Sequence, residues 1–180
     1  MKIFYTDGST RGKNQRGAEN EGGFGVIIFD KDDEFTILDY VSQQVTSTTN
    51  NRMELEAILW ALDYADKNYP DEECVIYSDS AYAVNMCNDW IFKWAANGWK
   101  NSKKQTVENL DLVQEIYSHL HQDFYHCSIE KVSGHSGEIG NELADALATG
   151  KGKIFSRLVE DFCLIDKKKE GLFVDNFIPF

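Results

Sequence analysis

Four acidic residues stand where a carboxylate is costly to keep. Asp7 closes the run Lys2-Ile3-Phe4-Tyr5-Thr6, and Asp79 closes the apolar run Cys74-Val75-Ile76-Tyr77-Ser78. Glu54 comes early in an amphipathic helical pattern, on one stripe with Ile58, Ala61 and Leu62. Asp145 lies inside a second helical segment, Gly137 to Thr149. Burying a charge is unfavourable unless a partner or an ion offsets it. Hard divalent cations are held by several carboxylate oxygens meeting at one point, so the four acids are candidate ligands for such an ion. Taken singly, an Asp after a strand is an ordinary turn residue; the set together points to a metal.

The elements that must position these acids follow from local patterning. Residues 2–7 alternate as a strand, the polar Gly-rich stretch 9–23 reads as a loop, and Phe24 to Phe29 as a second strand. Asp30 to Asp33 makes a turn into a third strand, Phe35 to Ser42, completing a meander. Thr48-Thr49-Asn50-Asn51 supplies capping side chains for a helix over Met53 to Lys67, which Pro70 ends. Residues 74–78 read as a strand buried on both faces. Ser80 caps a short helix to Asn88, Trp90 to Trp94 forms another, and Thr106 to Leu120 is amphipathic. Ser128 to Val132 is a last strand and Glu138 to Thr149 a helix. The order β-β-β-α-β-α-α-β-α predicts an α/β mixed sheet with helices on its faces. Strands one and four become parallel neighbours, so Asp7 and Asp79 share the carboxyl edge where open sheets place ligands.

Composition bounds the function. A chain of 180 residues, 42% hydrophobic and 27% charged, is long enough for one domain with a real core. No apolar run approaches the roughly 20 residues of a membrane span. The chain enters a strand pattern directly, without a signal-peptide pattern. The expectation is a cytoplasmic protein with no membrane contact, and nothing calls for more than a monomer. Cys74, Cys87, Cys127 and Cys163 are scattered with no CxxC pair, and are expected to be reduced thiols filling space. His119, His121 and His126 lie outside any motif and read as structural or surface residues. The net charge of −12 opposes a nucleic-acid ligand. The first 150 residues hold 12 Lys/Arg against 25 Asp/Glu, a balance of −13. Such a ligand would need a local basic patch and bound metal.

Six motifs occur in a telling order: Phe4-Tyr5-Thr6-Asp7-Gly8-Ser9; Thr48-Thr49-Asn50-Asn51-Arg52-Met53-Glu54-Leu55; Tyr77-Ser78-Asp79-Ser80-Ala81-Tyr82; Trp90-Ile91-Phe92-Lys93-Trp94 with Gly98-Trp99-Lys100; Val132-Ser133-Gly134-His135-Ser136-Gly137; and Asn141-Glu142-Leu143-Ala144-Asp145. On these the chain resembles bacterial-type type 1 ribonuclease H over about residues 1–149. The resemblance implies a catalytic domain, 1–149, with a ribonuclease H-like fold. That fold is a five-stranded mixed sheet, a three-strand antiparallel meander plus two parallel strands, flanked by helices. Residues 150–180 become a C-terminal extension. The implied activity is metal-dependent endonucleolytic hydrolysis of the RNA strand of RNA–DNA hybrids, leaving 5′-phosphomonoesters, as in replication-primer or R-loop removal. The alternative is a non-catalytic hybrid-binding module of the same fold with a partner-docking tail.

Carried over by position, Asp7, Glu54, Asp79 and Asp145 bind two Mg2+ ions, with Mn2+ as a substitute. His135 moves protons or helps product release. Asn50 and Asn51 contact the hybrid near its minor groove, and Thr48 and Asn109 grip a DNA phosphate. The DNA strand meets Trp90, Lys93, Trp94, Trp99 and Lys100. Chemistry supports this last assignment: residues 90–104 contain four lysines, no acid and three tryptophans. Aromatic faces with ammonium groups suit an unspecific groove, although Trp90 and Trp94 one turn apart also suit a core. Three departures stand out: Ala95-Ala96-Asn97 where relatives often carry Lys and Arg, Ala81 in place of a common Gln, and a long loop after Ser9 holding Arg11, Lys13 and Arg16. They predict weak, salt-sensitive hybrid binding with catalysis retained.

In the extension, Ile154, Leu158 and Phe162 suggest a short amphipathic helix, and Lys167 to Glu170 a solvated charge run. The end, Asp175-Asn176-Phe177-Ile178-Pro179-Phe180, resembles the acidic tip of bacterial single-stranded-DNA-binding proteins. It is expected either to dock a replication or repair protein or to pack on its own domain.

Overall fold

The computed structural model describes residues 1–12, 20–31, 36–122, 125–134 and 137–170, with side chains to Cys163. The strands are β1 (Lys2–Arg11), β2 (Asn20–Asp30), β3 (Thr36–Thr48), β4 (Cys74–Ser78) and β5 (Cys127–Lys131). The helices are α1 (Asn50–Asn68), α2 (Ala81–Asn85), α3 (Ile91–Ala96), α4 (Leu110–Leu120), α5 (Ile139–Ala148) and α6 (Gly152–Glu170). The sheet runs β3-β2-β1-β4-β5. β1, β2 and β3 pair antiparallel, and β1, β4 and β5 pair parallel. This is the mixed sheet expected from the element order.

Period-two alternation splits the interior into two cores. Phe4, Val26 and Ile28 face α1, where Leu55, Ile58 and Leu62 are fully buried. Ile3, Tyr5, Ile27 and Phe29 face the other way, onto Leu143 and Leu147 of α5. Burial on both faces explains why β2 reads as a continuous apolar run. The hydroxyl of Thr49 accepts from the Arg52 amide at 3.3 Å and starts α1; Ser80 does the same for Ala83 in α2.

Several boundaries differ from expectation. Part of the Gly-rich 9–23 stretch is strand, because Ser9, Thr10 and Arg11 pair with Gly23, Gly22 and Glu21. A Cβ on Gly23 would lie 2.7 Å from the Ala148 carbonyl oxygen, so the glycine lets α5 close on the sheet. The two short helices after Ser80 join through a π-helical turn, Met86–Trp90, whose Asn88 side chain donates to the Ile129 carbonyl at 2.8 Å. The fourth helix starts at Leu110 rather than Thr106: Asn109 sits at φ 53, and Thr106 bridges to Lys100 instead. In α6 the buried stripe is Phe155 and Val159, with Leu158 and Phe162 partly covered, while Ile154 is 49% exposed. Phe155 meets Tyr40 at 4.8 Å and Phe162 meets Phe29 at 5.8 Å. Residues 171–180, including Asp175 to Phe180, lie outside the described residues. Among the described residues no helix is long and apolar enough to cross a membrane.

Candidate active site

The parallel ladder between β1 and β4 ends at Thr6 and Ser78. β4 stops there, but β1 runs on to Arg11 with β2 as its partner. Asp7 is thus a mid-strand residue, not a strand end, at the level where its β4 neighbour leaves the sheet. Asp79 is the next residue of the departing chain. The two carboxylates therefore emerge side by side at one sheet edge.

Two helices close on this point, one from each face. A Cβ on Gly8 would overlap the backbone nitrogen of Glu54, so glycine lets the start of α1 rest directly on β1. That contact delivers Glu54 beside Asp7. On the other face, Gly25 pairs with Asp7, and a Cβ there would overlap the Ala144 carbonyl. This close approach brings Asp145 in. α5 is held by the Tyr5 hydroxyl, which donates to Glu138 at 2.8 Å, just before the helix begins.

Carboxylate oxygens of Asp7, Glu54 and Asp79 all lie within 4.8 Å of one another. Asp145 is outside that tight set, yet close enough that its charge raises the Asp7 pKa. Burial, reinforced by Asp79 and Asp145, pushes the Asp7 carboxyl up to about 8. Burial, with Asp7 and Asp79, pushes Glu54 up to about 9. The Gly8 amide opposes both shifts, and the Asn50 side chain opposes that of Glu54. Each shift is the signature of like charges crowded away from water.

One oxygen of Glu54 accepts from the Asn50 amide at 3.4 Å; the other, Oε2, is buried without a hydrogen bond. Asp79 Oδ2 accepts from the Asn141 amide at 3.3 Å. The Lys131 ammonium donates to the backbone carbonyls of Asp79 and Val132, at 2.8 and 2.9 Å, fixing the chain beyond β4. An all-oxygen donor set with an orphaned buried carboxylate oxygen fits a hard divalent cation.

Other expected residues surround this point unevenly. Asn50 and Asn51 are exposed at the start of α1. Thr48 is buried, with its hydroxyl unpartnered. Asn109 takes the left-handed conformation just before α4. Trp90, Trp94 and Trp99 are half-buried against the first core, with Trp90 and Trp94 ring centroids 6.0 Å apart and Trp99 edge-on to Tyr117 at 5.4 Å. They therefore serve as core with one side outward. Lys100 is exposed, but Lys93 is ion-paired to Asp89 at 2.6 Å, which sequence alone did not show. His135 and Ser136 lie outside the described residues. The preceding Gly134 is so near the site that a Cβ on it would stand 2.7 Å from Asp79 Oδ2.

Asn141 was not singled out by sequence reasoning. Its signal was available: it precedes Asp145 by one helical turn and so shares its face. Gly8 and Gly25 carried only a general glycine signal, and their role needs the packing.

The RNase H family model matches residues 1–152. The chain belongs to the ribonuclease H family. It is 42% identical to ribonuclease H of Orientia tsutsugamushi (strain Boryong), covering 84% of this chain and 81% of that one. It is 38% identical to ribonuclease H of Ruthia magnifica subsp. Calyptogena magnifica, covering 81% and 91%. The fold superposes on the foamy viral protease-reverse transcriptase in complex with an RNA/DNA hybrid with a TM-score of 0.72, at 26% identity over 83% of this chain. This chain spans 19% of that longer polypeptide. LC9-RNase H1, a type 1 RNase H with the type 2 active-site motif, matches with a TM-score of 0.62 and 32% identity, covering 83% and 70%. As a ribonuclease H, this chain is a divalent-metal-dependent endoribonuclease of RNA–DNA hybrids.

Proposed function

We propose that Asp7, Glu54, Asp79 and Asp145 hold two Mg2+ ions, with Mn2+ as a substitute, and that RNA in a hybrid is hydrolysed there to 5′-phosphomonoesters. The observation that carries this reading is the convergence of Asp7, Glu54 and Asp79 within 4.8 Å around a buried, unpartnered Glu54 oxygen. Bound ions supply a water nucleophile at neutral pH and positive charge for the leaving oxygen.

The chain's own part is orientation and proton bookkeeping. Asn50 fixes one oxygen of Glu54, and Asn141 fixes one of Asp79. The raised carboxyls of Asp7 and Glu54 retain protons near neutral pH without metal, and release them when it binds. His135 is the residue assigned to move a proton or help product release, since histidine titrates near neutral pH. Asn50 and Asn51 offer donors and acceptors to 2′-hydroxyls across the wide RNA minor groove. Trp90, Trp94, Trp99 and Lys100 border the DNA strand, and Thr48 and Asn109 take a DNA phosphate. With Lys93 engaged by Asp89, less positive charge faces that strand, which adds to the expected weakness of hybrid binding.

The protein acts as a cytoplasmic monomer in this reading. Residues 1–149 are the catalytic domain and 150–180 an extension whose helix α6 lies on the second core. The tail, Asp175 to Phe180, either docks a replication or repair protein or packs on its own domain. Deleting Phe177 to Phe180 separates these: lost partner capture with unchanged melting means docking, and lowered melting without lost capture means packing.

The central test is cleavage of a labelled hybrid with and without Mg2+, beside Asp79→Asn. Metal-dependent cleavage confined to the RNA strand, and lost in the variant, is expected. Absence of cleavage by the parent protein overturns the reading.

A further inference from the structure

A second ligand set converges at the opposite end of β4 from Asp79. Cys74 and Cys127 are the first residues of β4 and β5 and pair directly in the parallel ladder. Their sulfurs and a ring nitrogen of His126 all lie within 4.8 Å of one another. Both cysteines are buried. His126 Nε2 is buried, makes no hydrogen bond and stands 3.7 Å from Asp66 Oδ1. Asp66 is already engaged, accepting from the Tyr125 hydroxyl at 2.8 Å and facing His119 Nδ1 at 2.7 Å. An unsatisfied buried imidazole nitrogen is unusual and calls for a partner. A cleft lined by Met1, Glu73, Val75 and Ser128 opens onto the three residues.

Two thiols and an imidazole are the donors that zinc selects, whereas Mg2+ and Ca2+ require oxygen. Zn–S bonds of about 2.3 Å in a tetrahedron put ligand atoms roughly 3.5–3.8 Å apart. The three ligand atoms, now within 4.8 Å of one another, must close to that spacing when an ion binds. The strand register fixes both cysteines side by side. The cleft gives solvent access to the three residues.

We propose that Cys74, His126 and Cys127 form a zinc site, with solvent as fourth ligand, that ties together the starts of β4 and β5. The five residues of β4 separate it from the carboxylates by about 16 Å at ~3.3 Å per residue. It is therefore a stabilising site, independent of catalysis.

The test uses the reduced full-length chain with excess Mg2+ present to occupy the carboxylates. Elemental analysis after gel filtration should find one zinc per chain. Co2+ should give the thiolate charge-transfer band and intense visible bands of a tetrahedral ion. Both signals should vanish in Cys74→Ser and Cys127→Ser, weaken in His126→Asn and persist in Asp79→Asn. Zinc should raise the melting temperature of the parent but not of Cys127→Ser, whose Mg2+-dependent cleavage stays within about twofold of the parent. Because a buried serine can impair folding, the parent's cobalt spectrum and the His126→Asn variant decide independently. A parent without the thiolate band, a band that survives in Cys127→Ser, or a Cys74–Cys127 disulfide formed under zinc in place of metal retention overturns the proposal.

Discussion

The two ends of β4 gather metal-type ligands in contrasting ways. At its C-terminal end three acids from β1, α1 and the turn after β4 meet, with Asp145 of α5 nearby, because β4 stops while β1 continues and Gly8 and Gly25 let the helices close in. At its N-terminal end two cysteines come from adjacent strands that start in register, with His126 one residue earlier. The first set is hard oxygen and carries mutual repulsion, which burial amplifies. The second is soft sulfur and nitrogen, neutral when protonated, and folds without that penalty. One strand thus has crowded carboxylates at one end and neutral thiols with an imidazole at the other.

The largest effect expected from this contrast is catalytic. Asp79→Asn should lower Mg2+-dependent hybrid cleavage by about 10³-fold or more, as loss of a metal ligand does in metal-dependent hydrolysis. Cys127→Ser should leave the rate nearly unchanged. Single-turnover cleavage of both variants is the check, and a silent but folded Cys127→Ser would show the two ends to be coupled.

Next comes hybrid affinity. With the chain at −12 and its acids uncovered, metal-free protein should bind a hybrid about tenfold more weakly than metal-loaded protein. Fluorescence anisotropy before cleavage sets in measures this; equal affinities would remove the gating role of the metal.

The pH dependence of stability sharpens the contrast further. Asp7 and Glu54 have folded-state values near 8 and 9, above the ordinary carboxyl range. The native state therefore holds more protons than the unfolded state from about pH 4 to 9, so metal-free stability is full at acid pH and falls as pH rises. Glu54→Gln should flatten this fall, stabilising the metal-free protein at pH 9 by on the order of 1–2 kcal/mol. Thermal melts across pH report it, and a flat parent profile would contradict the crowding of charge.

The smallest effect concerns the basic rim. Lys100→Ala should raise KM about threefold and reduce the salt dependence of binding by about one charge. Lys93→Ala should do less, because Asp89 already holds that ammonium. An equal effect from both lysines would mean the ion pair opens on binding.

Legibility followed the range of the forces. The capping role of Thr49, the apolar stripe of α1 and the presence of a strand at 74–78 are local features, and the structure repeats them; that strand is buried on one face only, with Val75 and Tyr77 half-buried on the other. The start of α4 was misjudged because one left-handed Asn109 outweighs a favourable pattern. The face of α6 shifted by one position because Ile154, Phe155, Leu158, Val159 and Phe162 permit two helical stripes, and only the sheet beneath selects between them.

The sequence by itself determined which four acids to single out, the elements they lie on or follow, and the family, since residue type and short-range periodicity suffice for these; that Asp7 is mid-strand rather than at a strand end came from the structure. Tertiary structure alone decided which acids meet. It sets Asp7, Glu54 and Asp79 within 4.8 Å and leaves Asp145 outside that set. It assigns Lys93 to Asp89 and brings Cys74 against Cys127 and His126. The physical reason is register: which strand ends first, and where a missing Cβ lets a helix approach, depends on contacts between residues far apart in the chain.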